Sequence, residues 1–162
     1  LRLSNIAGAF EHAVLGEFVA PLPKNIIPLA LQVAAGQREY IELRQQAQTM
    51  DHTAERGFLH VLDSCDAIIA ALEWLRGQQY VCEAFNISGQ SISIAALLKE
   101  ISKVTQVDIK TIEAQFYPVA ELDQIAATSE KAHQILKWQP KRNISKIIED
   151  AWRFYQQTLI GR

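Results

Sequence analysis

The chain has 162 residues, 49% of them hydrophobic and 21% charged, with 16 Lys plus Arg against 18 Asp plus Glu. That length suits one domain with a proper core and is short for two. The near-even charge excludes a strongly basic phosphate-backbone binder and an acidic disordered tail, and no apolar run approaches the roughly 20 residues that span a bilayer.

Residues 1–5, Leu-Arg-Leu-Ser-Asn, read as a short strand entering a loop. Residues 6–23 have no stable period and contain Gly8, Gly16, Pro21 and Pro23, as a surface-shaping loop would. From Asn25 to Ala35 the chain turns helical; Pro28 is tolerated in a first turn, and Gly36 stops the helix. Residues 40–43 alternate as a strand. Residues 44–55 are the clearest polar loop, and 58–61 form a short strand. Asp63 is placed as an N-cap with Asp66 three further on, both suiting the positive end of a helix. That helix has Cys65, Ile68, Leu72 and Leu75 on one apolar face, read as core, and ends at Gly77. Residues 80–87 read as a strand rich in β-branched and aromatic side chains. Ser93 caps a helix whose Ile94, Leu97, Leu98, Ile101 and Val104 make a buried stripe. A weaker strand covers 107–116. A short helix runs from Thr128 or Ser129 to Leu136, before Pro140. Asn143 caps the last helix, with Ile144, Ile147, Ile148, Ala151, Trp152 and Tyr155 on one face. Strands alternating with helices predict an α/β fold in a single unit over residues 1–162.

Spacing excludes several chemistries. The seven glycines never fall two within seven residues, so no dinucleotide fingerprint or P-loop can be built. Cys65 and Cys82 stand 17 apart without a ligand set, so no zinc site or disulfide framework is expected. Buried, inert thiols in a reducing cytoplasm are the expectation. His60 before Asp63 permits an acid/base pair, and a core histidine with its hydrogen bonds met is the simpler reading. Arg56, at the end of the polar loop, has the fork to chelate a diphosphate, or is a solvated arginine. Asn5 and Asn25 are explained by turn and cap chemistry. Leu1, not Met, stands first, so a piece of a longer protein, or an incomplete sequence of one, is expected.

The order of the pieces carries a resemblance. Residues 1–9 (Leu-Arg-Leu-Ser-Asn-Ile-Ala-Gly-Ala), 22–28 (Leu-Pro-Lys-Asn-Ile-Ile-Pro), 56–63 (Arg-Gly-Phe-Leu-His-Val-Leu-Asp) and 85–89 (Phe-Asn-Ile-Ser-Gly) resemble, in order, the substrate-binding half of UDP-glucose 4-epimerases. So do Ser129-Glu-Lys-Ala, Leu136-Lys-Trp and Asp150-Ala-Trp-Arg. These enzymes belong to the extended short-chain dehydrogenase/reductase family. The resemblance implies the C-terminal part of a Rossmann-type NAD-binding fold with a small mixed α/β substrate-binding lobe. It implies NAD as cofactor, although the glycine-rich NAD loop and the catalytic Tyr-x-x-x-Lys would lie in an N-terminal half absent from this chain. Tyr40, Tyr80, Tyr117 and Tyr155 are followed four places on by Arg44, Ala84, Glu121 and Leu159. The implied partners are a UDP-sugar, that missing half, and a second copy in a homodimer, with no nucleic acid and no membrane.

By position the resemblance assigns Asn5, Asn25 and Arg56 to the substrate and its diphosphate, with the Ile26 N–H facing phosphate. Arg44 stands beside the uracil where the family has an aromatic residue, and Glu121 stands where an aspartate meets the uridine ribose. Ser4 replaces an aromatic residue near the nicotinamide. Pro118 takes the place of a second phosphate-binding arginine, and Ile125 aligns with the gate for the sugar's 2-substituent. The usual Gly-Asn-Asp-Tyr and Asp-Gly-Thr stretch reads Gln-Gln-Ala-Gln and Asp-His-Thr here. Two rival readings follow: another nucleotide-sugar epimerase or dehydratase, or a catalytically dead remnant kept as a binding module.

Overall fold

The computed structural model describes residues 1–10, 14–17, 23–45, 47–114 and 122–160. Its elements, in chain order, are β1 (Arg2–Leu3), β2 (Asn5–Ala7), α1 (Ile26–Ala34), β3 (Ile41–Leu43), β4 (Glu55–His60), α2 (Val61–Arg76), β5 (Asn86–Ile87), β6 (Gln90–Ser93), α3 (Ile94–Thr105), β7 (Thr111–Glu113), β8 (Gln124–Ile125), α4 (Glu130–Leu136) and α5 (Ile144–Ile160). The expected opening strand is thus two strands on either side of Ser4. β1 pairs in parallel with β5, and β2 pairs in parallel with β4.

β4 organises the sheet. Phe58 faces Asn5 of β2 on one edge and Gln90 of β6 on the other. β6 runs antiparallel to β4, whereas β8 pairs in parallel with Glu55 and Arg56. One edge of β4 therefore passes from β8 to β2 at Gly57. Gly57 is buried, and a Cβ there would meet the Ser88 hydroxyl at 2.6 Å. β3 and β7 form a separate parallel pair.

Two apolar clusters hold the elements. The larger joins Leu31 of α1, Leu97 and Ile101 of α3, and Ile147 and Ile148 of α5 with Phe58 of the sheet. The stripes expected on the α3 and α5 helices supply it. The smaller cluster sets Leu59 and Ile87 against Ala67 of α2, Leu136 of α4, and Trp138.

Several expectations are corrected. The α2 cap is His60, not Asp63: its Nδ1 accepts the Leu62 N–H at 3.1 Å. The helix starts earlier because the strand runs straight into it. Asp63 falls in the first turn and is buried. Its carboxylate accepts the Lys141 and Arg142 N–H groups at 3.2 and 3.0 Å and the Arg142 guanidinium at 2.6 Å. The face bearing Ile68, Leu72 and Leu75 is exposed, and α2 buries Asp63, Ser64 and Ala67 instead. Cys65 and Cys82 are likewise exposed, not buried. Of the strand expected over 80–87 only Asn86–Ile87 pairs; Tyr80 has φ +54°, which no strand accepts. The strand over 107–116 shrinks to Thr111–Glu113, and residues 115 and 116 lie outside the described residues. β6 and β8 were not foreseen. Within the loop of 6–23, Ala9 bridges Gly16.

His60 is fully buried, as a core histidine. Its Nδ1 is an acceptor, so the ring proton sits on Nε2 and is donated to Asp150 Oδ2 at 3.2 Å. The partner is Asp150, not the Asp63 suggested by the sequence. Gly8, at φ +88°, lies so close that a Cβ would stand 2.8 Å from the His60 ring. Burial pushes the His60 pKa down, against the Asp150 hydrogen bond that raises it. No helix among the described residues is long and apolar enough to cross a membrane.

Candidate nucleotide-sugar site

A cleft of about 400 Å³ opens between the end of β2, the start of α1, β3 and the face of β4 that carries Arg56. Its apolar lining includes Ile41, Ala54, Phe58 and Ile94. Polar groups lining it are Asn5, Asn25, Arg44 and Arg56, with Lys24, Glu17 and Glu42. A largely apolar pocket with a few convergent polar groups is the usual form of a small-molecule site. Arg56 and Phe58 share one face of β4 because side chains alternate along a strand.

Each polar group has a local reason for its place. Asn5 donates from Nδ2 to the Gly57 carbonyl at 3.0 Å, at the point where β4 changes neighbours. Asn25 is the N-cap of α1 by its extended backbone (φ −87°, ψ 145°), and its carbonyl accepts the Leu29 N–H at 3.2 Å. Its side chain makes no cap bond. A capping side chain accepts from the second or third helical amide, and the third is Pro28, which has none. Asn25 instead donates to Glu17 Oε1 at 3.3 Å. The first-turn amides of Ile26 and Ile27 thus have no capping side chain where α1 meets the cleft. Helix N-termini of this kind favour anions through the amide dipoles.

The arginines are tethered by β8 and the segment before it. Arg56 donates to the Leu122 carbonyl at 2.7 Å and the Glu55 carbonyl at 2.8 Å. Arg44 pairs with Asp123 at 3.1 Å. Five of the six site residues expected from the sequence, Asn5, Asn25, Ile26, Arg44 and Arg56, line this one cleft. The sixth, Glu121, lies outside the described residues, as does Pro118. Neither Ser4 nor Ile125 lines the cleft. The Ser4 hydroxyl is enclosed and has no hydrogen-bond partner among the described residues. Ile125 is exposed on β8.

The sequence reading missed Lys24, Glu17, Glu42 and Asp123. Lys24, directly before the cap, was a legible signal for an anion at a helix start. Asp123 gave none, because its partners lie dozens of residues away.

The turns where strands lead into α2 and α3 do not fit a dinucleotide pyrophosphate. At each of these helix starts a first-turn amide is taken by the helix's own cap: Leu62 N–H by His60 and Ala96 N–H by Ser93. No glycine cradle stands at either turn. Among the described residues no group of three or more His, Cys, Asp and Glu could hold a metal ion.

A family model described as GDP-mannose 4,6 dehydratase matches residues 5–151. The chain belongs to that family. It is similar to the UDP-glucose 4-epimerase of Lacticaseibacillus casei, 37% identical over 161 residues, covering 96% of this chain and 47% of the relative. It is also similar to UDP-glucose 4-epimerase 2 of Arabidopsis thaliana, 30% identical over 163 residues, covering 99% of this chain and 46% of the relative. The crystal structure of a Stenotrophomonas maltophila UDP-glucose 4-epimerase with bound NAD and formylated UDP-arabinopyranose superposes with a TM-score of 0.93. Identity there is 25%, over 99% of this chain and 48% of that one. The chain thus spans about half the length of the relatives it matches. The resemblance to the extended short-chain dehydrogenase/reductase epimerases holds, and with it the α/β, Rossmann-type relationship.

Proposed function

We propose that this chain is the UDP-sugar-binding half of a UDP-glucose 4-epimerase-like isomerase that interconverts UDP-glucose and UDP-galactose. The observation that carries the reading is the convergence of Asn5, Asn25, Ile26, Arg44 and Arg56 on one cleft. They come from four separate stretches of chain, and the resemblance assigns each of them to substrate. In this reading the amides of Ile26 and Ile27, the Asn25 amide and Arg56 hold the diphosphate. Asn5 meets the sugar end, Arg44 the base end, and Glu121 the ribose.

NAD belongs to the reading through the relatives; held by the further half of the protein, it would accept a hydride from the sugar and return it. The residues of this chain contribute binding and orientation only. The glycine-rich loop and the Tyr-x-x-x-Lys base are assigned to a further half of the protein, and neither pattern occurs in this sequence. A homodimer and a reducing, cytoplasmic setting are part of the same proposal; two exposed thiols suit such a compartment. The family model's own description favours one second reading, a related nucleotide-sugar dehydratase.

Calorimetric titration of UDP into the protein and into Asn25→Ala tests the reading. Saturable binding that weakens in the variant is expected. Absence of binding, or equal affinities, would overturn it.

A further inference from the structure

Asp123 stands just before β8, outside the cleft lining, and nothing in the sequence marked it. Its contacts tie together the two arginines of the cleft. Its carboxylate lies 3.1 Å from the Arg44 guanidinium and accepts the Gln48 N–H at 3.0 Å. Its carbonyl accepts the Glu55 N–H at 2.8 Å, next to Arg56, and lies 3.4 Å from the Arg56 guanidinium. The Oδ1 atom is sequestered, and Arg44 approaches it as an ion pair without the alignment of a hydrogen bond.

We propose that Asp123 is a positioning residue, whose carboxylate, anchored by the Gln48 N–H, holds the Arg44 guanidinium ready in the cleft. The inference rests on reading the cleft as the nucleotide-sugar site. An arginine has many rotamers to lose when it contacts a ligand, and a partner that restricts them beforehand lowers the cost of binding. Both side chains are partly shielded from water, at 24% and 30% exposure, so the attraction is less screened than on an open surface. The Gln48 bond fixes the carboxylate itself, which makes it a rigid anchor and not a wandering surface charge. The Asp123 side chain meets the cleft's cations only at Arg44, its contacts near Arg56 being made by the backbone carbonyl, so the effect of changing that side chain should vanish when Arg44 is gone.

The experiment combines two readouts on wild type, Asp123→Ala, Asp123→Asn, Arg44→Ala and the Asp123→Ala/Arg44→Ala double variant. The first is the nitrogen-15 relaxation of the Arg44 Nε–H, with no ligand present. The second is calorimetric affinity for UDP. Asp123→Ala should release the Arg44 Nε–H into fast motion and weaken UDP at least fivefold. In the Arg44→Ala background the same change should alter affinity less than twofold. Asp123→Asn keeps an acceptor for Gln48 and should restore affinity to within about threefold of wild type. An Arg44 Nε–H that stays ordered in Asp123→Ala would overturn the proposal. So would an equal UDP loss with and without Arg44. If wild type takes up no UDP, the reading of the cleft fails, and the relaxation data alone still decide whether Asp123 positions Arg44.

Discussion

At the third position of α1, Pro28 offers no N–H, and the Asn25 side chain turns to Glu17 instead of its own helix. One substitution-sensitive choice of residue thus leaves amides available where a diphosphate is proposed to sit. On the proposed reading Arg56 is the main arginine anchor of the diphosphate, with Lys24 also in the cleft lining and Arg44 paired with Asp123. Losing a charge-assisted contact to an anion costs about 1.5–3 kcal/mol. Arg56→Ala should therefore weaken UDP by roughly tenfold to a hundredfold. Unchanged affinity in a titration would remove Arg56 from the site. His60 yields a second prediction, on stability. Its folded pKa lies below the ordinary 6.5, with burial the largest cause. The unfolded chain therefore takes up a proton first as pH falls. Stability is full above about 6.5 and is lost as pH drops through the lower folded value. Asp150, Asp63, Arg142, Lys146 and Arg153 surround this histidine or its partner. Thermal melts should show Tm falling from pH 7 to 5.5, with a shallower slope in His60→Gln. Equal slopes would contradict the account.

Among the elements, α3 and α5 were legible because their apolar period matched a buried stripe and Ser93 marked the start of α3. The α2 helix was legible as a helix but not in its orientation. Periodicity shows that Ile68, Leu72 and Leu75 share a face; it does not show what covers that face. Here the stripe points outward, and Ile69 and Leu72 are each 55% exposed. Leu1 and Leu3 are exposed as well. The short strands β6 and β8 were not legible, since two to four residues carry too little pattern. A strand edge and an apolar helix face left open both favour association. Sedimentation of these 162 residues across a concentration series should show self-association that Ile69→Lys/Leu72→Lys diminishes. A monodisperse monomer at all concentrations would show the face to be tolerated. Asp63 belongs to this scale too, because it joins the start of α2 to the segment before α5. Breaking a buried pair by removing one partner costs about 3–5 kcal/mol. Asp63→Ala should lower stability by that order in denaturant melts, and a loss under 1 kcal/mol would contradict the role given to the Arg142 pair.

For the molecule as a whole, the proposed division of labour is that this chain grips a nucleotide sugar while NAD chemistry lies elsewhere in the protein. The cleft was legible residue by residue only through the resemblance; composition and spacing alone left Asn5, Asn25 and Arg56 as turn, cap and surface residues. What the sequence could not supply was the tethering of Arg44 by Asp123, a contact made across the fold. The 162 residues alone should neither bind NAD nor epimerise UDP-galactose, and measurable turnover in a coupled assay would refute the division. The most direct test of the central claim is a nitrogen-15 correlation spectrum of the protein titrated with UDP. The account predicts that the Ile26 and Ile27 amides shift most, with the Arg56 side chain, and saturate together. Shifts confined to residues outside the cleft, or none at all, would contradict it.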